Sequence, residues 1–371
     1  MRKFVTQLNL QDSLGGGEVY TRSLCRAFAE MGWRSRLFVN NRVDFWQSLL
    51  DSGTEIVKLD SMEQLESALE DELLLTHSTL DAHWAPRMAR RARLAGMLHM
   101  PLYDRFPEGL RHYHRLFAVS QHVAKSARSR GLENVSPVAL LGVADTRPRG
   151  PSTGLYRRSC YEWDRRKFRD RLLGWMAARW SAPAAGRPFE KVPGALTLGI
   201  VSRLTPIKQF PLMFRHLAPV IARCPSVRIE IFGSGGYASV RDLRTALRPC
   251  ASQVRFWGQQ PDVGAIFRGV DYVLSGLPEK EALGLNLIEA QSMGTPVLAV
   301  AAPPFTETVI HGESGFLYRD PREDGGADFS GLLERLAAGL PRPDPRTAQG
   351  HLAQFTEEAF QRRLEAALEG I

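Results

Sequence analysis

The chain lacks any run of about 18 apolar residues, so no segment reads as a membrane-spanning helix. Cysteine is scarce. Four are present in 371 residues (Cys25, Cys160, Cys224 and Cys250), with no C-x-x-C spacing. That suggests neither a zinc site nor a disulfide framework, and a reduced, cytoplasmic protein is the expectation. The opening residues lack the apolar core of a secretory signal, because Gln7, Asn9, Gln11 and Asp12 interrupt it. Internal repeats and low-complexity tracts are missing too. A dinucleotide fingerprint is absent, since Ala238 stands where the third glycine after Gly233 and Gly235 would be needed. No RNP, KH or zinc-finger signature supports nucleic-acid binding.

What is present is an ordinary globular composition, 44% hydrophobic and 24% charged, at a length that suits two domains. The net charge is +8, and one segment carries all of it. Residues 147–191 hold 12 basic and 4 acidic side chains, while the remainder is balanced. Such a surplus favours phosphates, nucleic acid or anionic lipid, or else marks a solvated linker face. The segment also holds Trp163, Trp175 and Trp180. Phe168, Leu172, Trp175 and Met176 form an apolar helical stripe flanked by Arg165, Arg166, Arg169 and Arg171. That stripe suits either an anionic membrane surface or packing between domains. A second basic cluster is Arg87, Arg90, Arg91 and Arg93, a place where a phosphorylated or lipid-linked acceptor could be met.

Periodicity gives a βαβ grammar. A strand over 3–10 meets the glycines 15–17, a helix follows to Gly32, and 36–39 is the next strand. Short buried strands are expected at 73–76, 94–98 and 116–119, with Ser120 as the N-cap of a helix over 121–130. The grammar restarts after Pro193, with strands at 196–201, 227–232, 254–257, 272–274 and 296–300. A helix is expected over 212–223, and an amphipathic helix closes the chain over 357–368. Doubly wound sheets bind ligands at the carboxyl ends of their strands.

The window from Glu279 to Ala299 carries the most chemistry. Glu281 and Glu289 stand eight positions apart, with Gly284 between them. On an uninterrupted helix that is just over two turns, about 12 Å. If Gly284 instead opens the helix, Leu285, Asn286 and Leu287 offer unbonded N–H groups at its N-terminus, a ready anion site. Carboxylates beside a phosphate pocket suit a nucleotide sugar.

This window resembles the motif of retaining GT-B glycosyltransferases, in particular family 4. The family's motif usually reads E-G-F-G-L-P-L-L-E-A-M-A-C-G-T-P-V, and here it stands as E-A-L-G-L-N-L-I-E-A-Q-S-M-G-T-P-V. It departs at Ala282 and Asn286. The segment from Gly199 to Lys208 resembles the family's G-R-L-x-x-x-K-G element, with Gln209 in place of the last glycine. The resemblance implies that Arg203 and Lys208 clamp the donor diphosphate, Arg as a fork and Lys as a mobile point charge. Gly15, Gly16 and Gly17 resemble the family's glycine-rich loop, and Gly233 its G-x-G turn. The run around His99 resembles the segment whose histidine approaches the reacting sugar in relatives, although a satisfied loop histidine reads equally well. Pro303 and Pro304 replace a glycine pair in a loop that often touches the donor sugar. No D-x-D triplet occurs, and that motif usually holds a divalent metal in the other large transferase architecture.

The resemblance implies an α/β protein of two Rossmann-like doubly wound domains facing across a cleft. An acceptor domain would span 1–145, a basic interdomain segment 146–193, and a donor domain 194–345. A tail helix in 346–371 would cross back to the first domain. The implied activity is metal-independent, retaining transfer of a hexose from a UDP- or GDP-sugar. The acceptor would be a saccharide or lipid-linked molecule in bacterial surface glycan assembly. The catalytic residues would be His99, Glu281, Arg203 and Lys208. The donor would meet Gly16, Gly17, Gly233, Gly284, Leu285, Asn286, Leu287 and Glu289, with no metal and no cofactor. The location would be cytoplasmic, with peripheral contact at the inner face of an anionic membrane. The alternatives are a nucleotide-sugar epimerase of the same fold and a basic nucleic-acid-binding protein.

Overall fold

A computed structural model of the chain describes residues 3–12, 15–51, 53–145, 154–163, 174–175 and 186–370. The chain divides into two compact units, Met1–Val143 with Ala353–Ile371, and Ala144–Leu352. The arginines 165, 166, 169 and 171, with Phe168, Leu172, Met176 and Trp180, lie outside the described residues.

The first unit is built on six strands: β1 (Phe4–Asn9), β2 (Arg34–Asn40), β3 (Thr54–Leu59), β4 (Leu73–Thr76), β5 (Arg93–Leu98) and β6 (Arg115–Ala118). They lie in the order β3-β2-β1-β4-β5-β6, and every pairing is parallel. The central strands β1 and β4 are buried almost throughout, as expected of a sheet covered on both faces. The helix Gly16–Glu30 makes the first crossover. Ser120 caps the helix Gln121–Arg128, its Oγ accepting from the Val123 N–H at 3.1 Å.

The second unit repeats that winding. Its main strands are β8 (Leu196–Val201), β9 (Val227–Phe232), β11 (Val254–Phe256), β12 (Tyr272–Leu274), β13 (Val297–Val300) and β14 (Gly315–Tyr318), in the order β11-β9-β8-β12-β13-β14. A two-stranded ribbon joins β7 (Tyr161–Glu162) to β10 (Gly235–Gly236). Through it, and through the bonds from Arg158 N–H to Trp257 O and from Gln260 Nε2–H to Tyr156 O, the described parts of the basic segment pack onto this unit. Trp163 stacks against Tyr161 with ring centroids 5.4 Å apart, and Trp175 is exposed. Glu230, fully buried on β9, is held by Arg255 and by the Trp257 Nε1–H at 2.6 Å, so its charge is paired where water is excluded.

Within the two six-stranded sheets, two strands lie where the sequence pattern gave no strand signal, β3 and β14, and both are outer strands; the short ribbon strands β7 and β10 gave none either. In Thr54–Leu59 only Leu59 is fully buried, so the apolar signal of a core strand is missing. Gly315–Tyr318 opens on a glycine, a residue that reads as punctuation.

The closing helix Glu357–Leu368 belongs to the first unit. Its Phe360 meets the edge of Tyr20 with ring centroids 5.4 Å apart. Arg363 donates to the Leu141 carbonyl at 3.2 Å, and Glu357 pairs with Arg26. Among the described residues, no helix is long and apolar enough to cross a membrane. Because Phe360 is fully buried, Phe360→Ala is expected to destabilise the first unit by about 3–5 kcal/mol. Thermal unfolding followed by near-UV circular dichroism measures this, and an unshifted transition would show that the helix does not support the unit.

Candidate functional site

In both sheets the chain reverses its winding direction between two central strands, β1 and β4 in the first and β8 and β12 in the second. Crevices at such switch points, beyond the strands' carboxyl ends, are where doubly wound folds bind ligands. The sequence-derived candidates gather at these two places, and each is described within its own unit.

In the second unit, β8 leads through Arg203 into the turn Pro206–Lys208 and then the helix Phe210–Ala222. The Lys208 Nζ lies 2.5 Å from Glu281 Oε2, so a cation and a carboxylate far apart in sequence share one contact. Arg203 is exposed on the same loop. Gln209 takes φ 53°, the left-handed region that a glycine occupies without strain. Its Nε2 faces Glu279 Oε2 at 3.4 Å.

Glu281 is on the loop after β12 and not on a helix. The helix Leu285–Ser292 begins only at Gly284, whose φ of 81° excludes most side chains. A Cβ there would also lie 3.1 Å from the Phe305 ring. The expectation of three unbonded N–H groups is corrected to two, because Leu287 donates to the Gly284 carbonyl at 2.9 Å. Among the described residues nothing bonds the Leu285 or Asn286 N–H groups, which present the positive end of the helix. The Asn286 side chain donates to the Val201 carbonyl at 3.0 Å, fastening the helix to the end of β8. Glu289 is buried on the second turn, and Ala282 is buried ahead of the helix. Gly233 serves a close backbone approach, since a Cβ there would lie 1.9 Å from the Ser202 carbonyl oxygen.

In the first unit, Gly16 and Gly17 open the helix Gly16–Glu30, and the space their side chains would enter is empty. His77 follows β4 and His99 follows β5. The sequence did not show that these two meet. His77 Nδ1 lies 3.1 Å from His99 Nε2, and His77 Nε2 lies 3.1 Å from Gln7 Oε1 on β1. Burial pushes His77 well below the usual histidine range and His99 down to about 4. Tyr20 packs its ring against His99 at 5.3 Å and donates its hydroxyl to the Leu140 carbonyl at 2.6 Å.

The basic cluster on 87–93 is placed elsewhere. Arg93 begins β5 and His99 follows its end, so six residues at about 3.3 Å each separate them. Arg87 pairs with Glu66 and lies over the Trp84 ring at 4.3 Å. The cluster is therefore at the opposite edge of its sheet from His99.

Residues 195–338 match the family described as glycosyl transferases group 1. The D-inositol 3-phosphate glycosyltransferase of Stackebrandtia nassauensis is 32% identical over 196 residues, covering 47% of this chain and 41% of that one. The enzyme of the same name from Mycobacterium marinum is 33% identical over 181 residues, covering 46% and 36%. The matched spans are thus less than half the length of these relatives. Among solved structures, Anabaena HepE in complex with UDP superposes with a TM-score of 0.71 at 18% identity, covering 99% of this chain and 100% of that one. Sucrose-phosphate synthase from Thermosynechococcus elongatus gives 0.71 at 15% identity, covering 98% of both. At such identities the likeness establishes the fold, that of the GT-B glycosyltransferases.

The neutral histidines make stability depend on pH. An unfolded histidine takes up a proton below about pH 6.5, whereas His99 in the fold resists until about 4. Between those values the unfolded chain binds more protons, so stability falls as pH falls, by up to about 1.4 kcal/mol per unit for each histidine. Melting temperatures measured from pH 7 to pH 4 should decline less steeply for His99→Gln than for the wild type. Parallel declines would show that His99 is not held neutral.

Proposed function

We propose, from the match of residues 195–338 to the group 1 glycosyl transferases, that the protein transfers a hexose from a nucleotide diphosphate sugar. The observation that carries this reading is the N-terminus of Leu285–Ser292. Two unbonded N–H groups open there at the switch point, with Lys208 and Arg203 on the neighbouring loop and Glu289 buried on the second turn. N–H groups and cations suit a diphosphate, and a buried carboxylate suits the paired hydroxyls of a ribose. The likeness to HepE bound to UDP makes a UDP-sugar the donor to try first, with GDP-sugars next.

In this reading Lys208 exchanges Glu281 for the diphosphate when donor binds, which leaves the Glu281 carboxylate to face the sugar. As the sugar–phosphate bond breaks, negative charge grows on the leaving diphosphate. The Leu285 and Asn286 N–H groups, Lys208 and Arg203 stabilise it there without rearrangement. The remaining demand is positional: a hydroxyl of a saccharide or lipid-linked acceptor attacks on the face the diphosphate leaves and passes its proton to that diphosphate. Attack on that face retains the configuration, and metal independence follows if the chain's own groups compensate all the phosphate charge.

Two substitutions test the assignment. Glu289→Ala should weaken nucleoside diphosphate binding by about 1.5–3 kcal/mol by calorimetry. Equal affinity in a folded variant would refute the ribose contact. Lys208→Ala should lower turnover by about 10²-fold or more, while EDTA leaves the wild type active. Strict dependence on added Mg²⁺ or Mn²⁺ would overturn the metal-free scheme, and a new sugar nucleotide formed without acceptor would point to an epimerase.

A further inference from the structure

Gln7, His77 and His99 stand at the carboxyl ends of three neighbouring strands, β1, β4 and β5. They form a line of hydrogen bonds across the sheet. The direction of each bond follows from the groups at its ends. The Gln7 amide donates its Nε2–H to Cys25 Sγ at 3.2 Å, so its Oε1 faces His77 Nε2 as an acceptor. The proton of neutral His77 is therefore on Nε2, and its Nδ1 is a bare acceptor. Two groups reach that nitrogen, Thr21 Oγ1 at 3.2 Å and His99 Nε2 at 3.1 Å. Thr21 has one proton and gives it to the Gly17 carbonyl at 2.9 Å, while its oxygen accepts from Asn9 Nδ2 at 3.0 Å. The proton on the His77–His99 contact is therefore carried by His99 Nε2.

The ring geometry agrees. The His77 and His99 centroids are 5.4 Å apart with planes inclined by only 21°. Nitrogens 3.1 Å apart under that centroid separation place the rings edge to edge, nearly in one plane, which aligns an N–H with a nitrogen lone pair. Tyr20 meets the His99 ring at 90° and fixes its tilt. His99 is partly exposed, and among the described residues nothing bonds its Nδ1.

We propose that His77 is a positioning residue: through Gln7 it fixes His99 as the Nε2–H tautomer, so that His99 offers Nδ1 as an acceptor for a sugar hydroxyl. The role in transfer rests on the function proposed above; the tautomer does not. A histidine free to choose tautomers would present an N–H at Nδ1 part of the time and repel the hydroxyl proton it must receive. Asparagine in place of His77 keeps an acceptor, Oδ1, where Nδ1 stands, whereas leucine removes it.

The test begins with long-range ¹H–¹⁵N spectra of the full-length protein labelled at histidine, with His99→Gln used for assignment. His99 should show a pyrrole-type Nε2 and a pyridine-type Nδ1 in the wild type and in His77→Asn. A protonated Nδ1 would overturn the proposal, whatever the enzyme does. In transfer assays with a UDP-hexose, His77→Leu should lower kcat about tenfold or more with donor KM within twofold, and His77→Asn should recover most of it. If His77→Leu fails to fold, the wild-type and His77→Asn spectra still decide the tautomer. The predicted spectra with unchanged kcat in folded His77→Leu would refute the role in transfer and leave the tautomer standing.

Discussion

A parallel strand cannot be followed at once by its neighbour, because the chain must first travel back to the edge where strands begin. Every pairing in both six-stranded sheets is parallel, so crossover segments must cover the faces and all carboxyl ends must share one edge. The rest of the structure depends on that constraint. It brings Gln7, His77 and His99 together from segments 70 and 22 positions apart. It likewise brings Lys208 to Glu281 across 73 positions. The opposite edge collects the strand beginnings, which is why the arginines near β5 stand away from the histidines.

The two units place different electrostatics at equivalent places. At its switch point the first unit sets neutral groups in a directed line, with Gln7 and His77 buried and His99 partly exposed. Burial keeps both histidines uncharged, and their hydrogen bonds offset the cost of removing polar groups from water. The second unit sets out charge and backbone dipole: a lysine–carboxylate pair, an exposed arginine and a helix N-terminus.

Departures from the family pattern fall around the same site. Gln209 keeps the left-handed backbone that a glycine would adopt and adds a side chain reaching toward Glu279. Asn286 fastens the helix Leu285–Ser292 to the end of β8 through the Val201 carbonyl. Ala282 is buried beside Glu281, and Pro303 and Pro304 occupy the loop after β13. These changes leave the Leu285 and Asn286 N–H groups unbonded among the described residues and alter the walls around them.

The sequence by itself determined what depends on neighbours along the chain. Short apolar-rich runs marked the central strands, interrupted by Thr197 on β8 and by Arg228 and Glu230 on β9, since a strand covered on both faces shows little polar side. Ser120 announced a cap, and Gly284 announced the start of a helix. The outer strand β3 escaped because it is only partly buried and carries no comparable run, and β14, though largely buried, escaped because it opens on Gly315. Only the tertiary structure decided which Leu285–Leu287 amides stay unbonded, since the Gly284 carbonyl takes one of them. It alone showed that His77 meets His99 and that Lys208 meets Glu281. Such contacts are set by strand order and by side chains converging across a sheet edge, and nothing local in the chain encodes a distance between residues on different strands.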